Sequence, residues 1–350
     1  MVFERLTVSV DAMGGDQAPS MVVEGISIAL ERLPDTRFLL FGDRAQLTPL
    51  LDLHPRAQQA SEIRHTDDVV TNDEKAGVAL RTGQNSSMRL AINAVGDGEA
   101  AGIISAGNTG ALMAIAKFVL KSLPGIDRPA IGTYFPTLNG ESVMLDLGAN
   151  IECNAENLVQ FAVMGEVFAR NVLGLKNPSV GILNVGAEDL KGNDSVKQAS
   201  TILQQSSLPI KFYGFVEGDD ISAGTVDVVV TDGFTGNIAL KTTEGTVKLF
   251  GHFLKEALSA SPLAKLGAML ARPALKTFKM RVDPRRYNGA MFLGLNGICI
   301  KSHGGSDAFG FAHAIDVAIE LISNDFNESI KNEYAQLSSD PGFSMKAVAG

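Results

Sequence analysis

Tryptophan is absent from this 350-residue chain, and cysteine occurs only at Cys153 and Cys299, far apart and without a CxxC spacing. That excludes a disulfide framework and a cysteine zinc site, and it fits a reducing cytoplasm. No Gly-Lys dipeptide occurs, so there is no Walker phosphate loop. A G-x-S-x-G elbow and an H-E-x-x-H pair are missing too, and the five histidines are scattered. Gly96-Asp97-Gly98 followed by Gly102 has the wrong spacing for a dinucleotide fingerprint and precedes a strand instead of following one. Positive charge is in short supply: a net charge of −9 argues against a general nucleic-acid binder. No apolar run approaches the roughly 18–20 residues that a spanning helix needs. The opening MVFERLTVSVDAMGG reads as a strand behind Glu4 and Arg5, not as a signal peptide. No metal and no cofactor are expected.

What is present is a 45% apolar chain with 36 glycines, enough for a full core with many tight loops. Short β-branched runs alternate with helical periodicity. Strands are predicted at 6–10, 38–41, 102–105, 180–185, 212–216, 226–230 and 297–302, with a short one near Ile63. Helices are predicted at 22–33, 86–95, 110–120, 155–173, 195–205 and 311–330, and 249–286 reads as helical and basic. Residues 52–75 are polar and poorly periodic. The Leu138-Asn139-Gly140 turn predicts an antiparallel hairpin between strands at 130–136 and 142–147. Such alternation specifies an α/β architecture with a mostly parallel sheet. Residues 1–335 are expected to form a single catalytic unit, with 247–286 as an amphipathic helical excursion and 336–350 as a flexible tail.

The stretch VDVVVTDGFTGNIALK organises the rest. Val226, Val228, Val229 and Val230 read as a buried strand, Asp232 ends it, and Gly233-Phe234-Thr235-Gly236-Asn237 turns the chain into a helix from Ile238. Glycines admit close backbone approach, and a helix start offers unpaired N–H groups to an anion. The pattern repeats. Gly107-Asn108-Thr109 and Gly192-Asn193 follow strand runs, and Gly14-Gly15-Asp16, Gly148-Ala149-Asn150 and Gly304-Gly305 hold equivalent places. Six such loops at strand carboxyl ends are expected to converge on one edge as a polar anion pocket. Asp11, Ser105, Asp232, Lys191, Lys301 and His303 stand beside these loops. Lys191 is either a solvated cation or the compact charge that neutralises phosphate or an oxyanion. His303 is either a structural hydrogen-bonder or a general base, and Cys153 reads as a small buried residue before an acyl acceptor.

The ordered motifs DAMGGDQAP, SAGNTGALMA, LDLGANIECN, LNVGAEDLKGND, GFVEGDDI, DGFTGNIALK and IKSHGGSD run from about residue 7 to 320. Together they resemble the bacterial phosphate acyltransferases of phospholipid synthesis. The resemblance implies a three-layer α/β/α fold like the isopropylmalate dehydrogenases and phosphotransacetylases, and a homodimer. It implies transfer of a long acyl group from acyl carrier protein to inorganic phosphate. The family's proposed catalytic lysine and asparagine fall on Lys191 and Asn237. Phosphate, already ionised, needs no strong base to attack a thioester, so the missing triad is no obstacle. The rival readings are a β-decarboxylating dehydrogenase on a related fold and a non-catalytic anion-binding regulator.

Residues 247–286 depart from the rest in charge. Nine cations against Glu256 and Asp283 make +7 there and leave −16 elsewhere. Leu263, Leu266 and Leu270 recur at helical spacing after Pro262. A basic helical hairpin with an apolar edge suits an anionic membrane surface, making the protein cytoplasmic and peripherally membrane-associated. Arg285 and Arg286 are candidates for carrier-protein contact, and packing in a dimer interface is the alternative use of the leucines.

Overall fold

The computed structural model describes residues 6–206, 208 and 210–339. Its strands are β1 (Thr7–Asp11), β2 (Arg37–Gly42), β3 (Ser61–His65), β4 (Gly102–Ser105), β5 (Ala130–Thr137), β6 (Gly140–Leu145), β7 (Ser179–Leu183), β8 (Lys211–Val216), β9 (Val228–Val230), β10 (Ala290–Leu293) and β11 (Ile298–Lys301). Its first helices are α1 (Ser20–Ala29), α2 (Arg44–Asp52), α3 (Pro55–Ala60), α4 (Ala76–Thr82), α5 (Ser87–Gly96), α6 (Thr109–Leu120) and α7 (Ala155–Val172). There follow α8 (Asp194–Gln205), α9 (Gly218–Ala223), α10 (Gly233–Ser259), α11 (Pro262–Leu270), α12 (Arg272–Arg281), α13 (Ala308–Ser323) and α14 (Phe326–Ser339).

All these strands join one sheet in the order β3-β2-β1-β4-β11-β10-β5-β6-β9-β7-β8. One apolar layer beneath it is built from α1, α7, α8 and α13, the other from α5 and α6 with contributions from α9 and α10. The three-layer α/β/α architecture is therefore present. Local chemistry sets the element ends. Ser86, Asn108, Asn154 and Asp232 each accept a first-turn N–H and cap α5, α6, α7 and α10. The Asn139-Gly140 turn joins β5 to β6 as an antiparallel hairpin, as predicted.

The sheet is mostly parallel, as expected, but its two halves differ in direction. β3, β2, β1, β4 and β11 run parallel to one another. β10 is antiparallel to both β11 and β5, and β5 is antiparallel to β6. Hence β6, β9, β7 and β8, mutually parallel, run opposite to the first five. The sheet is two parallel halves of opposite direction joined through β10 and β5. Their carboxyl ends lie on opposite edges, so the six glycine loops do not share one edge.

Smaller corrections follow from side-chain chemistry. The GFTGN segment is not a turn: α10 starts at Gly233 itself. Gly233 and Gly236 are there because a Cβ at either would strike the Asn150 or Asp146 backbone. The last long helix is two, broken at Asn324-Asp325, where Asp325 takes a positive φ of 49°. α3 lies in the poorly periodic stretch 52–75, and α2, α4 and β10 were not predicted. Of the expected tail, residues 336–339 close α14, and 340–350 lie outside the described residues.

Replacing Gly236 with Ala is expected to lower stability by about 2 kcal/mol or more. The readout is a fall in urea midpoint at unchanged slope. A midpoint equal to wild type would show that α10 is not locked onto the Asp146 loop.

Candidate active site

Two buried carboxylates organise the two carboxyl edges. In the second half, Asp146 is fully buried. Its Oδ1 accepts the N–H groups of Ile131 (2.9 Å), Gly148 (3.2 Å) and Ala149 (3.0 Å). Its Oδ2 accepts from the Asn150 backbone N–H at 2.7 Å and from Asn150 Nδ2 at 2.9 Å. Burial raises the Asp146 pKa, and these donors pull it back. The loop so formed holds α10 in place, because Gly233 N–H donates to Asn150 O at 2.7 Å.

That contact corrects the expectation of unpaired N–H groups at this helix start. Gly233 N–H is used by Asn150 O, Thr235 N–H by Asp232 Oδ1 and Gly236 N–H by Asp232 O. Asp232, with its other oxygen accepting from Thr235 Oγ1, is a cap and not an open ligand. An anion here is left the Phe234 N–H and the side chains. Asn237 stands exposed in the first turn, against Gly148: a Cβ added at Gly148 would sit 3.6 Å from the Asn237 Cβ. Lys191 is exposed on the loop after β7, the strand beside β9. Asn184 Nδ2 clamps that loop by donating to Gly186 O and Lys191 O, and Gly192 takes a φ of +91° that favours glycine. Asn193 accepts from Val196 N–H and caps α8.

In the first half, Asp11 is buried and accepts from Ser87 Oγ at 2.6 Å and Ser105 Oγ at 2.7 Å. Burial raises its pKa. Buried Lys301 donates to Ala106 O and Ser302 O, and so stitches the loop after β4 to the loop after β11. Asp16 N–H donates to Gly304 O, and a Cβ at Gly14 would meet Gly107, so the three loops of this half are packed together. Asn108 works as a clamp. Its Oδ1 caps α6, and its Nδ2 donates to Thr71 O, Asn72 O and Glu74 O. Sequence reasoning gave residues 71–74 no such role, because the clamp acts on their carbonyls. His303 is exposed, with Nδ1 accepting Gly305 N–H at 3.1 Å, and burial lowers its pKa. Glu244, Lys241 and Lys248 act on that same titration. α10, about 40 Å long at 1.5 Å per residue, thus passes from the second carboxyl edge to the first.

Between these edges a cavity of about 570 Å³ runs along α6, lined by Thr109, Gly110, Met113, Ala114, Lys117 and Phe118. Ile131, Gly148 and Ala149 close it, joining the cavity to the loop that Asp146 holds. Cys153 lies close by, half-buried, with its thiol pushed up to about 12 by burial, then by Asp146 and Asp232. It is not an activated nucleophile. Arg285 is committed elsewhere. It pairs with Asp283 at 2.6 Å and Asp307 at 2.7 Å and stacks on Phe309. Leu263, Leu266 and Leu270 are 78%, 49% and 74% exposed. No helix among the described residues is long and apolar enough to cross a membrane.

Solved structures with this architecture include phosphotransacetylases, a branched-chain phosphotransacylase and 4-hydroxythreonine-4-phosphate dehydrogenases. A phosphotransacetylase from Streptococcus pyogenes superposes with a TM-score of 0.61 at 16% identity, over 92% of this chain and 95% of that one. A branched-chain phosphotransacylase from Enterococcus faecalis gives 0.54 at 14% identity, over 90% and 99%. At such identities the likeness defines the fold alone. The sequence itself goes further. Residues 6–329 match the family model of a fatty acid synthesis protein. The chain is 63% identical to the phosphate acyltransferase of Paramagnetospirillum magneticum over 332 residues, 95% of each. It is 61% identical to that of Rhodospirillum rubrum over 332 residues, again 95% of each. The chain belongs to the phosphate acyltransferase family and is an acyltransferase.

Burial lowers the Lys301 pKa from 10.5 to about 8. Between those values the folded state binds fewer protons than the unfolded, so this group's contribution to stability improves as pH rises. Wild type is expected to gain stability relative to Lys301→Met from pH 8 to 10.5, by denaturation at intervals across that window. A difference independent of pH would show an ordinary ammonium.

Proposed function

We propose that the protein transfers a long-chain fatty acyl group from acyl carrier protein to inorganic phosphate, supplying acyl-phosphate for glycerolipid synthesis. Membership of the family supports acyl transfer to phosphate. The observation that carries the finer reading is the junction of the α6 cavity with the Gly148 loop and Asn237. An apolar chain and a reacting carbonyl fit that junction together. One phosphate oxygen attacks the thioester carbon, the C–O bond forms, and the tetrahedral oxyanion collapses with loss of the C–S bond. The electron pair leaves on sulfur, a thiol with a reference pKa of roughly 8.5 that needs little protonation to depart. The protein's work is to hold two reactants together and to meet the oxyanion. With the Gly233 and Thr235 N–H groups consumed, Asn237 and Lys191 carry that work, and no acyl-enzyme forms on Cys153.

In the same reading the α10–α12 excursion meets an anionic membrane surface. Its leucines, Phe250, Phe253 and Phe278 are exposed and stand among cations. Arg286, less committed than Arg285, is the better candidate for carrier-protein contact. A homodimer pairing through part of this surface is compatible with it.

Lys191→Ala and Asn237→Ala are each expected to lower turnover at least tenfold, about 1.4 kcal/mol of transition-state stabilisation, with the fold intact. Cys153→Ala is expected to stay active. The assay is phosphate-dependent release of carrier thiol from long-chain acyl carrier protein. Near-normal turnover in both loop variants, or an acylated Cys153, would refute the assignment.

Leu266→Glu combined with Leu270→Glu is expected to abolish sedimentation with anionic liposomes while turnover in solution continues. Unchanged sedimentation would reject membrane contact, and loss of a dimer by light scattering would reassign the leucines to that interface.

A further inference from the structure

The cavity along α6 has a shape that bears on which acyl groups react. Its helix wall is one face of α6, with Gly110, Ala114 and Phe118 four residues apart and Thr109, Met113 and Lys117 beside them. Over this length the helix advances about 13–14 Å. The floor is Ile131 at the start of β5, and the Gly148-Ala149 loop joins it to Asn237. The small side chains at Gly110 and Ala114 leave the space open, whereas the Phe118 ring stands at its rim, 62% exposed and held 5.2 Å from the Arg89 guanidinium. A cavity of about 570 Å³ has room for roughly nineteen groups of water or methylene size at about 30 Å³ each. That matches a long-chain acyl group and far exceeds an acetyl. Phosphate or a nucleotide does not suit a wall of Met113, Ala114, Phe118 and Ile131.

We propose that this cavity is the acyl-chain site and that Met113 and Ala114 determine the chain length the enzyme accepts. The proposal rests on the acyl-transfer reading above and deepens it. The chain lies along α6 with its thioester carbonyl at Gly148 and Asn237. Phe118, near the C-terminal end of α6, borders the Gly148 end of the channel, and Met113 and Ala114 line its middle. Lys117, exposed beside Phe118, keeps its charge in water and lays its methylene stem on the apolar wall.

The test compares kcat/KM for phosphate-dependent turnover of hexadecanoyl- and octanoyl-carrier protein. Ala114→Phe is expected to lower the hexadecanoyl-to-octanoyl ratio at least about tenfold, the size expected when several methylenes lose their pocket. Phe118→Ala, at an exposed position where folding is not at stake, is expected to lower kcat/KM for both substrates at least about threefold with their ratio within about twofold of wild type, because both chains pass it. An unchanged ratio in Ala114→Phe overturns the assignment. A second readout does not need turnover: parinaric acid, a fluorescent long-chain fatty acid, is expected to bind wild type, be displaced by hexadecanoate, and bind Ala114→Phe at least tenfold more weakly. Equal binding to both proteins also overturns it. If wild type turned over neither thioester, acyl transfer from the carrier would fall, while the parinaric acid comparison would still decide the cavity.

Discussion

The Asp146 carboxylate is the constraint on which the second half of the site depends. It lies where the antiparallel hairpin β5–β6 hands over to the second parallel half. One oxygen reaches back to Ile131 of β5, and both gather the loop 148–150. A buried carboxylate is costly unless its lone pairs are filled, and here five N–H groups fill them. The consequence is a loop of fixed shape, against which α10 seats through two glycines. Asp11 does a parallel job in the first half, with hydroxyls of Ser87 and Ser105 in place of backbone donors. Each carboxylate faces inward, away from any ligand, and sets the positions of groups that face outward.

This division of labour explains which part of the site was legible in the sequence. Glycines, asparagines and short polar side chains after strand runs marked the right loops, because tight packing at strand ends demands small residues whatever they bind. The same signal did not say which polar groups are free. Asp232, Asn193 and Asn108 are helix caps, Lys301 is a buried stitch, and Arg285 is a paired guanidinium. Each of those functions uses the residue types a ligand site would use. Lys191, Asn237 and His303 remain exposed, and only the three-dimensional account of who bonds to whom separates them from the rest.

Direction was the other missing quantity. A buried run such as Val228–Val230 shows that a strand exists but not which way it points beside its neighbours. The Asn-Gly hairpin contained the clue. One antiparallel turn within an otherwise parallel sheet must reverse whatever follows it, unless a second reversal restores it. β10, Ala290–Leu293, sits between β11 and β5, and four apolar residues between Gly289 and Gly294 are too short to be told from a loop. Missing it hid the two-edged sheet. The groove residues escaped for a related reason: Met113, Ala114 and Phe118 have the periodicity of any amphipathic helix, and periodicity does not say whether a face meets protein or space.

With the two edges opposed, something must connect them, and α10 does. Its first turn holds Asn237 against Gly148, its middle brings Lys241, Glu244 and Lys248 within electrostatic reach of His303, and its far end carries exposed Phe250 and Phe253 into the excursion. One element therefore meets the reacting end of the proposed site, comes within electrostatic reach of the opposite carboxyl edge and carries the exposed apolar side chains. Thr243 and Thr246 donate back to carbonyls four residues earlier, which satisfies their hydroxyls without interrupting the helix. On the proposed reading an amphiphilic acyl-phosphate is made at one end of this rod. The surface it must next meet lies at the other, so the length of α10 sets how far the product travels.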